Sequence, residues 1–130
     1  VRSICRECKM TYEADLADLP PDFPKIDRPI MLHRGAGCRN CRQSGYRGRQ
    51  GIYELLAITD PIREMVIERA SSSAIKSLAR KEGLITLRED AYRKLLGGET
   101  TVEELLRVTK SDDSLLRANP APTPVLRLTG

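Results

Sequence analysis

Four cysteines set as two Cys-x-x-Cys pairs, Cys5-Arg-Glu-Cys8 and Cys38-Arg-Asn-Cys41, constrain this chain more than any other feature. They are all the cysteines it has, and residues 9–37 separate the pairs. A Cys-x-x-Cys turn aims two thiolates at one point, and two such turns supply the four sulfurs of a tetrahedral zinc site with Zn–S bonds of about 2.3 Å. Four protein ligands leave no position for water or substrate, so the zinc expected at Cys5, Cys8, Cys38 and Cys41 is architectural rather than catalytic. Two other chemistries use cysteines: disulfides belong to secreted chains, and dithiol redox catalysis needs a single pair. No secretory h-region and no apolar run of membrane-spanning length occurs, so a reducing cytoplasm is the expected compartment. The one histidine, His33, is read as a polar loop residue outside the site.

A chain of 130 residues makes one domain or two small ones, and small domains bury little surface. Structural zinc binds with an apparent free energy of about 10–16 kcal/mol, more than a typical domain's whole stability. The first half is therefore expected to fold only with metal, and the two halves to melt differently. The formal charge of +4 falls to +2 once four thiolates contribute −4 and the metal +2. Arg6, Lys9, Arg39, Arg42, Arg47 and Arg49 crowd the cysteines and offset the negative cluster. A nucleic-acid surface is the rival reading of these cations. Only Tyr46 stands near as an aromatic platform, and Glu7 and Glu54 interrupt the field, so no nucleic-acid partner is expected.

Along the chain, Tyr12, Leu16 and Leu19 suit a short helix within Met10 to Leu19, begun by Asp15. Pro20, Pro21, Pro24 and Pro29 then impose an extended excursion. Ile30 to Arg34 reads as a strand, after which Gly35 and Gly37, and later Gly45 and Gly48, permit the tight backbone around the second cysteine pair. Residues 51–58 form the best strand pattern in the sequence, apolar on both faces, although the chain holds too few other strands to sandwich it. From Thr59 the apolar period becomes helical. Four short helices are marked by Asp60-Pro61, by Ser72 or Ser73 with Gly83 at the end, by Thr86 with Glu89, and by Thr101 with Glu104. Their inward stripes are Ile62, Met65, Val66 and Ala70; Ile75, Leu78 and Ala79; Leu87, Ala91 and Leu95; and Val102, Leu105 and Leu106. Arg88, Glu89, Asp90 and Arg93 read as a solvated face. The expectation is an α+β chain, mainly α: a tetracysteine zinc subdomain over 1–50, one return strand at 51–58, a compact bundle of about four helices over 59–110, and a disordered tail at 111–130. In that tail Val125-Leu-Arg-Leu128 reads as plain tail rather than a docking segment.

The two cysteine pairs, Gly45-Tyr-Arg-Gly-Arg49, Gly51-Ile-Tyr-Glu-Leu-Leu56, Leu87-Arg-Glu-Asp90 and Thr100-Thr-Val-Glu-Glu-Leu-Leu-Arg-Val-Thr109 together resemble the secretion ATPase superfamily. The likeness runs over residues 1 to about 110 and is nearest to the C-terminal part of type II secretion assembly ATPases, with type IV pilus extension ATPases as close relatives. The resemblance implies that Cys5, Cys8, Cys38 and Cys41 are zinc ligands and that 51–58 joins an ATPase sheet. It also implies a parent that is a cytoplasmic hexamer, peripheral to the bacterial inner membrane, working on neighbouring subunits and inner-membrane platform proteins. Leu87-Arg-Glu-Asp90 leans toward secretion. No lysine follows a glycine, so no GxxxxGK[ST] loop is present, and ATP and magnesium belong to a core outside this sequence. The start at Val1 also suits one portion of a longer protein. A free-standing zinc ribbon that binds nucleic acid, or a thiol redox sensor, are the other readings.

Overall fold

The structure is a computed structural model that describes residues 1–110; the expectations for 111–130, including Val125 to Leu128, lie outside the described residues. Two short antiparallel ribbons dominate the first half. Strand β1 (Arg2–Ile4) pairs with β4 (Tyr46–Arg49), and β2 (Lys9–Glu13) pairs with β3 (Met31–Gly35). Each cysteine pair lies where the chain leaves one ribbon for the other, Cys5 to Cys8 between β1 and β2, and Cys38 to Cys41 between β3 and β4. The β2–β3 register sets Tyr12 opposite Leu32, and both turn into the core.

The helix expected from Met10 to Leu19 does not form. Strand β2 takes its first half, and a 3₁₀ turn at Leu16–Asp18 takes the second, with the Asp15 carboxylate accepting from the Ala17 N–H at 2.9 Å. Thr11 and Tyr12 suit a pleated surface, and five register pairs with β3 outweigh one marginal isolated turn of helix.

Four helices follow: α1 (Asp60–Ile67), α2 (Ser72–Lys81), α3 (Leu87–Leu96) and α4 (Val102–Val108). The chain is thus α+β and mainly α. Caps fall one residue earlier than expected at two starts, because Thr59 and Ser71, not Asp60 and Ser72, accept the first free N–H groups. The Thr86–Glu89 capping box closes in both directions, at 2.8 and 3.2 Å.

The helices do not all turn to one another. Ala91, Tyr92 and Leu95 of α3 and Leu105 of α4 pack on Ile30 and Leu32 of the ribbon, with Tyr12, Phe23 and Ile26 around them. Helices α1 and α2 pack on each other, and Arg80 of α2 reaches Glu89 of α3 at 3.1 Å. Val66 and Leu106, expected inward, are 54% and 50% exposed.

Residues 51–58 are not a strand here. Among the described residues no edge pairs with them, and Tyr53 and Leu55 are 73% and 85% exposed. A two-sided apolar strand needs a sheet on its edges, and the described residues offer only two-stranded ribbons. Instead the segment is pinned to α3, with the Tyr53 N–H on the Asp90 carboxylate at 2.9 Å and the Leu87 N–H on Glu54 at 2.8 Å.

Arg88, read as a solvated residue, is buried. Its Nε and Nη2 grip the Asp22 carboxylate at 2.9 Å each, its Nη1 donates to the Thr109 hydroxyl at 2.8 Å, and the Tyr92 hydroxyl donates to the same Asp22 at 2.9 Å. The proline-rich excursion is thereby fastened to α3 and to the end of α4. Phe23 adds an edge-on ring contact to Tyr92 at 5.2 Å.

Candidate metal centre

Each cysteine pair is shaped by its backbone. After β1, the 3₁₀ turn Arg6–Cys8 folds Cys8 back toward Cys5, and the turn Arg39–Cys41 does the same for Cys38 and Cys41. Beyond Cys41 the chain turns through left-handed residues Arg42 (φ 53°), Gln43 (φ 65°) and Gly45 (φ 77°). The two loops are tied to each other, since the Cys5 N–H donates to the Gly45 carbonyl and the Ala36 N–H to the Cys8 carbonyl, both at 2.9 Å. Gly35 and Gly45 touch backbone to backbone, and a Cβ on Gly35 would fall on the Gly45 carbonyl. Only glycine allows that approach.

The four sulfurs converge as the spacing requires. Cys5 and Cys38 lie 3.8 Å apart, Cys8 and Cys41 3.8 Å, and Cys38 and Cys41 3.7 Å, with all four sulfurs within 4.8 Å of one another. A tetrahedron with metal–sulfur bonds of about 2.3 Å has edges of about 3.8 Å, whereas a disulfide needs about 2.05 Å. The cluster is therefore placed to hold a metal ion, and no disulfide joins its members. The Cys38 and Gly45 N–H groups point at the Cys41 sulfur, at 3.2 and 3.3 Å. Burial opposes ionisation of Cys41, yet these N–H donors prevail and lower its thiol to about 6. Burial pushes the Cys8 thiol up to about 12.

Arg6, Lys9, Arg39, Arg42, Arg47 and Arg49 are all exposed, but Arg49, expected beside the cysteines, pairs with Arg2 at the other end of the β1–β4 ribbon. His33 is not a loop residue: it lies on β3, half-buried, opposite Thr11, and stays outside the sulfur cluster.

A second knot holds the cysteine ribbon to the helices, and sequence reasoning missed it. Glu104, taken for half of a capping box, keeps only the other half of that role, as its N–H donates to the Thr101 hydroxyl at 3.3 Å. Its buried carboxylate instead accepts from the Arg2 N–H and Arg2 Nε at 2.8 Å each, and from Arg107 at 2.9 and 3.0 Å. Around it the Ile4 N–H donates to the Glu99 carbonyl, the Thr100 hydroxyl donates to the Arg2 carbonyl, and the Tyr46 and Thr101 hydroxyls meet at 2.7 Å. A carboxylate between Val102 and Leu105 was the available signal, but nothing local points it at Arg2, 102 positions away.

Hydrogen bonds from Arg107, opposed by burial and reinforced by Arg2, hold the Glu104 carboxyl far below the usual carboxylate range. A depressed folded pKa gives stability that is fully present above the unfolded value of about 4.3 and is lost as pH falls below it. Acid unfolding monitored by circular dichroism is expected to begin near pH 4 and to be shallower in Glu104→Gln. At neutral pH that variant loses about 1–3 kcal/mol. An unchanged acid profile would show that Glu104 is not what the acid limb titrates.

Comparison with known proteins follows the same residues. Residues 1–107 match the family model described as type II/IV secretion system protein. The type II secretion system protein E of Pseudomonas aeruginosa is 43% identical over 112 residues, covering 86% of this chain and 22% of that protein. The type II secretion system ATPase E of Vibrio cholerae is 38% identical, covering 85% and 22%. The type IV pilus assembly ATPase PilB of Thermus thermophilus is 40% identical, covering 84% and 12%. The chain thus spans about a fifth or less of the length of these relatives. No helix among the described residues is long and apolar enough to cross a membrane. With the match running from the first strand through the Glu104 knot, the chain belongs to the type II/IV secretion system protein family.

Proposed function

We propose that this chain is the C-terminal metal-binding and helical region of a hexameric ATPase that powers type II protein secretion by driving pseudopilus assembly. The observation that carries the reading is the family match over residues 1–107, which include the whole four-sulfur cluster. In this reading zinc is held by Cys5, Cys8, Cys38 and Cys41, and it supplies only a rigid joint between the two loops. Residues 1–50 are the metal-binding part, 51–58 become a strand when an ATPase sheet offers an edge, and 59–110 are the helical part. The outward Tyr53, Leu55 and Ile58 support that role for 51–58. ATP and magnesium bind in the core outside this sequence, so the region is a scaffold that touches neighbouring subunits and inner-membrane platform proteins from the cytoplasmic side.

Replacing Cys38→Ser and Cys41→Ser together in the parent ATPase tests this. Elemental analysis is expected to fall from one zinc per chain to none, and co-purification with the platform proteins to be lost. Unchanged metal content and unchanged platform binding would sink the proposal. The pilus reading, which the Thermus relative keeps in view, is separated by complementation: the parent is expected to restore a strain lacking its secretion ATPase and not one lacking its pilus ATPase.

A further inference from the structure

The four sulfurs of the cluster are not equivalent. Cys41 accepts the Cys38 and Gly45 N–H groups at 3.2 and 3.3 Å, so its lone pairs are engaged. Cys5 and Cys41 are buried, at 1% and 6% exposure. Cys8 and Cys38 are half-buried, and the Gly37 backbone stabilises the Cys8 thiolate by hydrogen bonding. Among the described residues, Cys38 is therefore the one sulfur that solvent reaches and that takes no backbone N–H. Hydrogen bonds that stabilise a thiolate also lower its nucleophilicity, which leaves Cys38 the most reactive of the accessible sulfurs. It lies at the end of the β1–β4 ribbon away from Val1 and Gln50, which are bonded to each other at 2.9 Å.

We propose that Cys38 is where hydrogen peroxide modifies this centre, and that Cys5 resolves the product into a Cys5–Cys38 disulfide that replaces the metal as the joint between the two loops. The inference rests on the reading above that the four cysteines hold zinc. The Cys38 sulfur attacks one peroxide oxygen, the O–O bond breaks, and the departing hydroxide takes a proton to become water, leaving a sulfenic acid. The Cys5 thiolate then attacks that sulfur, the S–O bond breaks, and a second hydroxide leaves and is protonated. Two thiolates thus lose two electrons to one peroxide, which becomes two waters. Cys41 lies as near to Cys38 as Cys5 does, at 3.7 against 3.8 Å, but its two N–H donors make it the poorer nucleophile. A bridge to Cys41 would close inside one turn and tie nothing together. The bridge to Cys5 spans 33 positions and holds the β1–β2 connection to the β3–β4 connection. Two sulfurs then remain, too few to keep a structural zinc.

The test treats the zinc-loaded chain with one equivalent of hydrogen peroxide, follows zinc with a chromogenic indicator, and maps disulfides by mass spectrometry without reduction. Zinc release and a Cys5–Cys38 linkage are expected, with hydrogen-exchange protection of residues 1–50 retained, whereas a chelator abolishes that protection. Dithiothreitol with added zinc is expected to restore the starting state. In a parallel reaction, substoichiometric iodoacetamide is expected to label Cys38 about tenfold faster than Cys41. A bridge within either Cys-x-x-Cys pair, first labelling at any other cysteine, loss of protection on oxidation, or zinc retained under peroxide would each overturn this inference alone. A chain that takes up no zinc before oxidation overturns the wider reading, and this inference with it.

Discussion

Stripping zinc from the loaded chain is expected to unfold more than the cysteine-bearing half. Composition alone divides the molecule into a metal part and a helical part that melt separately. The packing does not follow that division, because Ile30 and Leu32 of the ribbon share their core with Tyr92, Leu95 and Leu105. On the proposed reading the site holds structural zinc, which in such sites contributes about 10–16 kcal/mol where a whole domain has about 5–15, so the ribbon is not expected to survive its loss. Helices α3 and α4 then expose the apolar faces that the ribbon covered. Hydrogen exchange with and without chelator is expected to show protection vanishing across residues 1–50, α3 and α4 together, with the α1–α2 pair changing least. Protected α3 and α4 amides in the metal-free chain would mean that the helices hold their own core.

The second large effect is expected at Arg88. Arg88 and Asp22 side chains are 3% and 0% exposed, so Arg88→Ala strands a carboxylate in the interior without the guanidinium that grips both its oxygens. Removing one member of such a pair costs about 3–5 kcal/mol. For a domain of this size that lowers the melting temperature by more than about 10 °C. The double replacement Arg88→Met with Asp22→Leu is expected to recover much of the loss, since no charge is then left buried. A loss below about 1 kcal/mol in Arg88→Ala would mean that water reaches Asp22 readily.

What could be read from the sequence was local or chemically unambiguous. The Cys-x-x-Cys pairs declared a common target because few other uses exist for four such thiols. Thr86 with Glu89 declared a helix start because the box closes within one turn. Arg88 could not be read that way, as its partner Asp22 sits in a proline-rich stretch that shows no regular pattern. The error at Met10 has the same origin, since the pairing of Thr11 with His33 and Tyr12 with Leu32 settles that segment from 20 residues or more away. Residues 51–58 failed in the opposite sense. Their alternation is strand-like, but a strand is a property of a pair, and no described residue pairs with them.

The bond between Arg2 and Glu104 has a consequence for synthesis. At roughly 5–20 residues per second, about 5–20 s pass between the ribosome's making of Arg2 and of Glu104. Both cysteine pairs are complete well before then, so metal can close the two loops while the carboxylate that anchors β1 does not yet exist. The nascent chain therefore carries a capped but unmoored ribbon, with Ile30 and Leu32 open to solvent until α3 and α4 arrive.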